Sequence, residues 1–329
     1  MTTIKDVAQR ARVSIATVSY VLNGTGAVSD QKRQAVLDAV AALHYQPSYR
    51  GRALQARRSM TLGVGVPQGM DADTQWGPLL AGLASGAAQA GYHILLVAGS
   101  PDRSEMDAVT ALHGSGQIDG MVLLDGEIRD ERIDHLKAAQ TPFICAARTD
   151  DGSAYVAIDG AAGMLEAMAH LIVRGHERIA LLQPLLEQMV AAEQETGYRD
   201  ALGEAGLPFV PELVIEGGQT AQAGYAATQE LLSLPHPPTA VIAGSAALAF
   251  GALHAAHDAQ LHVGTDVALI SFEDTAAAAH TAPPLTAVRQ PVRAWGEQLA
   301  RGLIALINDG QHTQQVLQPQ LIVRRSCGE

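Results

Sequence analysis

Apolar residues recur at helical spacing through the first forty-odd positions. Ile4, Val7, Ala8 and Ala11 share one face of a short helix, with Thr3 as its cap and Asp6 at the capping-box position. After the tight Arg12-Val13 connection, Ser14 is the N-cap of a second helix, Ile15 to Leu22, which turns Val18, Val21 and Leu22 inward and ends at Asn23-Gly24. Ser29 then caps a third helix, Asp30 to Leu43, with Ala35, Val36, Ala39, Val40 and Leu43 inward. Such a trio predicts a helix-turn-helix unit with a supporting helix. Its spacing allows Ile15 to Leu22 to lie in a major groove, and it also suits a small protein-binding module.

Beyond Met60 the pattern changes. Apolar runs at Leu62 to Val66, Ile94 to Ala98, Gly120 to Leu124, Phe143 to Ala146, Ile179 to Leu182, Ala240 to Ala243 and Val267 to Phe272 are separated by helix-length segments. Alternation of that kind predicts parallel sheets wrapped by helices. Between the two regions, Ser48 to Arg58 is too short and polar to form a stable isolated helix, and Gly51 lowers its propensity further. The longest uncharged run, Leu234 to His257, is broken by prolines and glycines, so it suits a buried strand and a buried helix rather than a membrane span.

Charge sharpens this division. The chain of 329 residues carries a net charge of -12, but residues 1 to 60 hold nine basic and three acidic side chains, a balance of +6. The remaining residues hold 13 basic and 31 acidic groups, a balance of -18. Phosphate neutralisation by Lys and Arg therefore points to the small end as the polyanion-binding end. The chain is 47% hydrophobic and 17% charged, which excludes a disordered polymer and provides for two or three domains. Cys145 and Cys327 lie far apart, with no metal-type or redox-type spacing, as expected of packed thiols in a reducing compartment. No signal-peptide core lies within Met1 to Gln9, so a cytoplasmic protein is expected.

Enzyme signatures are missing where they would be sought. There is no Gly-Lys-Ser/Thr phosphate loop; Gly63-x-Gly65 is followed by Gln68 where a dinucleotide fingerprint needs glycine; and neither a G-x-S-x-G elbow nor an H-E-x-x-H zinc motif occurs. His254 and His257 suggest no third metal ligand. No catalytic activity, metal or cofactor is expected.

The runs Thr3-Ile4-Lys5-Asp6-Val7-Ala8, Val13-Ser14, Thr17-Val18-Ser19, Val21-Leu22-Asn23-Gly24, Val28-Ser29 and Tyr45-x-Pro47 closely resemble the lactose-repressor (LacI) family of bacterial transcription regulators. The resemblance continues through Ala90-Gly91-Tyr92, Asp119-Gly120, Arg174-Gly175-His176, Gly197-Tyr198, Pro238 to Val241, Pro284-Leu285-Thr286 and Leu321 to Arg324. It implies an α/β periplasmic-binding-protein-like core of two parallel-sheet subdomains, preceded by a small all-α N-terminal helix-turn-helix domain. The implied domains are a helix-turn-helix at 1–47, a hinge at 48–59 and an effector-binding and dimerisation domain at 60–329. Within the last, one subdomain takes about 60–159 and 291–318, the other about 160–290 and 319–329.

The same resemblance implies that Ile15 and Ala16 meet base edges and that Tyr20 stands where many members carry arginine. Thr3, Ser14, Thr17, Ser19 and Asn23 are short polar groups suited to phosphates, which position without specifying. In the hinge, Leu54 matches the leucine that wedges into the minor groove and Arg52 the arginine before it, while Ser48 and Gly51 replace the usual asparagine and alanine. In the cleft, Trp76 falls where an aromatic residue stacks on the ligand. Gln194 replaces an arginine, Ser245-Ala246 an asparagine-aspartate pair, and Ala147 precedes Arg148 where aspartate-arginine is common; Asp159, Glu273, Asp274 and Gln290 keep polar character. A cleft with few ionised groups suits a sugar held by shifted contacts, a nucleoside or another metabolite. The expectation is thus a homodimeric repressor on a pseudo-palindromic duplex, controlled by a small molecule, with no membrane partner. A solute-binding protein without a regulatory role is the alternative.

Overall fold

The computed structural model describes residues 2–23, 26–45, 58–66, 75–99, 104–124, 130–183, 189–216, 218 and 220–328. The chain divides into two units, Met1–Ser59 and Met60–Glu329.

The first unit holds α1 (Ile4–Ala11), α2 (Ile15–Asn23) and α3 (Asp30–Ala42). Their inward faces bury Val7, Ala8, Val18, Val21, Val36 and Ala39 in one small core. The Asp6 carboxylate accepts from the Thr3 backbone N–H at 2.7 Å and from its hydroxyl at 2.8 Å, which fixes the start of α1. Those two bonds hold the Asp6 carboxyl below the usual carboxylate range. Ser14 Oγ accepts the Thr17 N–H at 3.1 Å and caps α2. Ser29 occupies the cap position of α3 in extended conformation but its hydroxyl makes no capping bond, so the expected side-chain cap is not formed there.

The second unit contains two six-stranded sheets. The first joins β1 (Thr61–Gly65), β2 (His93–Val97), β3 (Gly120–Leu123), β4 (Phe143–Cys145), β5 (Tyr155–Ile158) and β11 (Gln314–Leu317) in the order β11-β5-β4-β3-β1-β2, all parallel. The second joins β6 (Ile179–Gln183), β7 (Val214–Glu216), β8 (Ala240–Ala243), β9 (Ala268–Ser271), β10 (Thr286–Arg289) and β12 (Gln320–Ile322) in the order β12-β10-β9-β8-β6-β7. Here β12 runs antiparallel to β10, so the second sheet is parallel apart from one edge.

Helices cover both faces of each sheet, which is why successive strand residues are buried on opposite sides. In the first sheet Leu62, Val64, Val122 and Ile144 pack with Leu83 of α4 (Trp76–Gln89) and with Leu299 and Leu303 of α11 (Val292–Asp309). On the other face Met121, Leu123 and Phe143 meet Val109 of α5 (Glu105–Gly114) and Leu136 of α6 (Glu131–Ala138). The second sheet repeats the scheme. Ile179 and Leu181 lie under α7 (Gly160–Val173) and α8 (Met189–Glu204), while Ala180 and Leu182 lie under α9 (Ala221–Leu232) and α10 (Ala246–Asp258). Where α9 meets α10 the backbones touch, and a methyl group at Gly251 would collide with the Ala221 carbonyl.

The chain passes between the two halves three times: from β5 into α7, from β10 through Gln290 into α11, and from β11 through Gln318-Pro319 into β12. Strand β2, read from an apolar run as a buried strand, forms an edge instead, with Leu95 and Leu96 37% and 47% exposed. The uncharged run from Leu234 contains β8 and α10, and no helix of the described residues is long and apolar enough to cross a membrane. Both cysteines are buried and unpaired, and burial, followed by Asp130 and Asp151, pushes the Cys145 thiol up to about 12, which leaves it inert.

Candidate functional site

Two surfaces carry candidate chemistry, one in each unit. On the first, α2 carries no charged side chain along Ile15–Asn23. Val18 and Val21 point into the core; Ile15 and Tyr20 are 44% and 49% exposed, and Ala16 is exposed between them in sequence. The hydroxyls of Ser14 and Thr17 lie 2.9 Å apart and bond each other, and Ser19 is half-buried. Asn23 is the last residue of α2; its side chain lies outside the described residues, as do Arg52, Leu54 and the rest of the expected hinge up to residue 57. Thr3 donates its hydroxyl to Asp6.

The second surface is the cleft between the halves of the large unit, where the carboxyl ends of β4, β5, β9 and β10 converge. Ligand sites of doubly wound folds occur at such strand ends because loops and helix N-termini, rather than sheet, face the opening. A cavity of about 40 Å³ lies there, lined by Ala147, Ile158, Glu193, Phe272, Gln290 and Trp295 among others. The Trp295 indole N–H donates to the Val156 carbonyl at 2.6 Å, and the Gln290 side-chain Nε2–H to the Phe272 carbonyl at 3.1 Å.

Beside the cavity an arginine bridges two carboxylates. Arg148, beyond β4, reaches Asp159 at 3.1 Å and Glu193 of α8 at 3.5 Å. Both acids also sit at the N-terminus of α7: Asp159 accepts the Ala162 N–H at 3.0 Å, and Glu193 the Gly160 N–H at 3.1 Å. The dipole end of a helix favours negative charge there. A methyl group at Gly160 would lie 2.9 Å from the Glu193 oxygen, so the carboxylate would have to shift to make room. For Asp159, burial raises the pKa, but the Ala162 N–H, Gln318 and Arg148 outweigh it and the net shift is downward. For Glu193, burial prevails over Gly160 and Arg148, and its pKa is raised.

The other expected cleft residues are engaged elsewhere. Gln194 is fully buried and donates to the Gly244 carbonyl at 3.2 Å. Ser245 caps α10 by accepting the Leu248 N–H at 3.3 Å, and Glu273 accepts the Ala246 N–H at 2.9 Å. Asp274, 3% exposed, is clamped by Arg289 at 2.6 Å and Arg324 at 2.7 Å. Trp76 starts α4, half-buried against the core of the first sheet, and is not among the residues lining the cavity. Of the eight expected positions, Gln290 lines the cavity and Arg148 and Asp159 join its wall through Glu193. Glu193 and Trp295 went unread in the sequence. The only signal for Glu193 was its place directly before Gln194; Trp295 lies in an amphipathic helix, where a tryptophan reads as core.

The comparisons with known proteins agree on both units. Residues 3–48 match the description "Bacterial regulatory proteins, lacI family", and residues 168–327 match a periplasmic binding protein-like domain. The HTH-type transcriptional regulator AglR of Rhizobium meliloti (strain 1021) is 33% identical over 335 residues, covering 99% of this chain and 94% of that protein. Among solved structures, the lac repressor dimer bound to operator and the anti-inducer ONPF superposes with a TM-score of 0.84 at 26% identity, covering 100% of this chain and 99% of the other. The transcriptional regulator CelR in complex with cellobiose does so at 0.77 and 30% identity, covering 99% and 100%.

Proposed function

The chain belongs to the lacI family of bacterial regulatory proteins, and from that premise we propose how its residues divide the work of a DNA-binding transcription regulator. In this reading α2 enters the major groove through Ile15, Ala16 and Tyr20. Thr3, Ser14, Thr17, Ser19 and Asn23, with the basic side chains of the first sixty residues, hold phosphates. Residues 48–59 serve as the hinge, with Leu54 in the minor groove and Arg52 beside it. Two copies bind a pseudo-palindrome, because a symmetric dimer presents two identical readers. Exposed Leu95 and Leu96 on edge strand β2 are suited to an apolar contact between the copies.

The cleft takes a small molecule whose binding is linked to DNA affinity. The observation that carries this is the Arg148 bridge, which ties the first half of the unit to Glu193 of the second beside the cavity. The cavity is small, at about 40 Å³, and in this reading a ligand enlarges it by separating the halves and replacing this bridge. A ligand that favours one closure angle shifts the spacing of the two hinges, and by reciprocity DNA shifts the ligand's affinity. Trp295 and Phe272 suit a flat or apolar face of the ligand, and Glu193 and Gln290 suit its hydrogen-bonding groups, as in a sugar, a nucleoside or a similar metabolite.

The test is selection of random-sequence duplexes on the full-length protein at fixed salt, followed by retention measurements with metabolite pools added. A pseudo-palindrome whose retention changes with one pool supports the reading. Retention without sequence preference counts against it, as does retention that no metabolite alters. Deleting residues 1–59 is expected to abolish DNA retention and preserve ligand binding; an enzyme seated in the large unit would show turnover after the same deletion.

A further inference from the structure

We propose that the exposed face of α2 reads the C5-methyl groups of thymines in each half-site, through Ile15, Ala16 and the Tyr20 ring. This rests on the placement of α2 in the major groove argued above, and adds what the helix recognises there.

The argument is one of chemical supply. Bidentate reading of guanine needs a guanidinium or ammonium group on O6 and N7, and adenine needs the amide of Asn or Gln on N6 and N7. Along Ile15–Asn23 there is no arginine, lysine, glutamine, histidine or acid, and the one amide is on the final residue. The hydroxyls at the entry to the helix, Ser14 and Thr17, lie 2.9 Å apart and bond each other, and in the reading above the O–H left over goes to phosphate. Apart from the Tyr20 hydroxyl, what the most exposed side chains of the helix present is hydrocarbon. Ala16 and Tyr20, at i and i+4, share a face, and Ile15 stands beside Ala16 in the first turn, about 100° round the helix axis.

The only apolar group that a base pair offers in the major groove is the thymine methyl. Against any other edge these side chains would strip water from base acceptors and donors without replacing its hydrogen bonds, a penalty that gives the contact its discrimination. Tyr20 is also held in place. Gly26 has a left-handed φ of 85°, and a methyl group there would lie 3.1 Å from Tyr20 Cγ, so the ring rests on bare glycine backbone. Charge for the phosphates comes from neighbours instead: Lys5, Arg10, Arg12, Lys32 and Arg33 lie on or beside α1 and α3.

The experiment uses duplexes selected by the full-length protein, with each thymine replaced singly by deoxyuridine. At one or more positions in each half-site, loss of the methyl is expected to weaken binding about fourfold, the factor for one buried methyl. Ile15→Ala and Tyr20→Ala, both at exposed positions, are expected to bring that ratio close to one, and Tyr20→Phe to preserve it. The proposal is overturned if uracil duplexes bind as tightly as thymine duplexes at every position while Ile15→Ala or Tyr20→Ala still selects a different sequence. Variants that select the same duplex as wild type would remove α2 from the groove, and the underlying placement would fail together with the proposal.

Discussion

The face of α2 and the floor of the cleft invite comparison, because both are candidate binding surfaces and they are built in opposite ways. On α2 the most exposed residues are mainly apolar, with Ile15 and Tyr20 near half exposed and the Tyr20 ring braced on Gly26. In the cleft nearly every polar group expected to meet a ligand already has a partner inside the protein: Asp274 with two arginines, Ser245 with a helix N–H, and Gln194 with a strand-end carbonyl. A surface that must read a rigid duplex can be prepared in advance by leaving its side chains exposed while the helix beneath holds them. A cleft that must also close on itself has to satisfy its polar groups in the empty state, since leaving them unpaired is costly.

The largest effect is expected from the clamp. Asp274→Ala leaves the mostly buried Arg324 with the Leu285 carbonyl while the half-exposed Arg289 turns to water, and the lost charged hydrogen bonds cost about 3 kcal/mol. Urea unfolding of the large unit should show that loss. Unchanged stability would mean that Asp274 is free to serve a ligand after all. Gly251→Ala comes next, because the added methyl forces apart α9 and α10, at about 1–3 kcal/mol for overpacking. The same unfolding curve should register it, with DNA selection by α2 unaltered.

Glu193→Gln is smaller. Arg148 is 40% exposed, so the pair is worth about 0.2–1 kcal/mol, and the glutamine oxygen can still accept from Gly160. Easier opening should appear as a changed ligand affinity rather than as unfolding. Its pH signature has a definite sign. Burial raises the Glu193 pKa, so the folded protein holds this proton more tightly than the unfolded chain. Wild-type stability relative to Glu193→Gln should therefore fall as pH rises from the ordinary value of 4.5 through the raised one. Asp159 acts oppositely: its contribution is present above the ordinary carboxylate value and is lost as pH falls through its lowered pKa. A pH-independent difference between the two proteins would place Glu193 in solvent and dissolve the bridge.

How much of this was legible follows from distance along the chain. The helices of the first unit were readable because apolar residues recur at helical spacing within each, as at Val7 and Ala11, Val18 and Val21, and Val36 and Ala39, and period fixes which residues face out. The central strands were readable as uninterrupted apolar runs buried on both faces. Strands β7, β11 and β12 were not, being short, half-exposed edge strands, nor were β5 and β10, which lie inside their sheets but are only four residues long and carry Tyr155, Thr286 and Arg289 among their apolar residues. The edge position of β2 was invisible for the same reason: an apolar run does not state how many neighbours it has.

The sequence by itself determined the two units, their opposite charge and the uncharged outward face of α2, since each depends on local spacing or on simple counts. Only the tertiary structure decided which cleft residues are free. Arg148 meets Glu193 across 45 positions, Asp274 meets Arg324 across 50, and Trp295 reaches Val156 across 139. Electrostatic pairing and hydrogen bonding act over a few ångströms of space, whatever the separation along the chain.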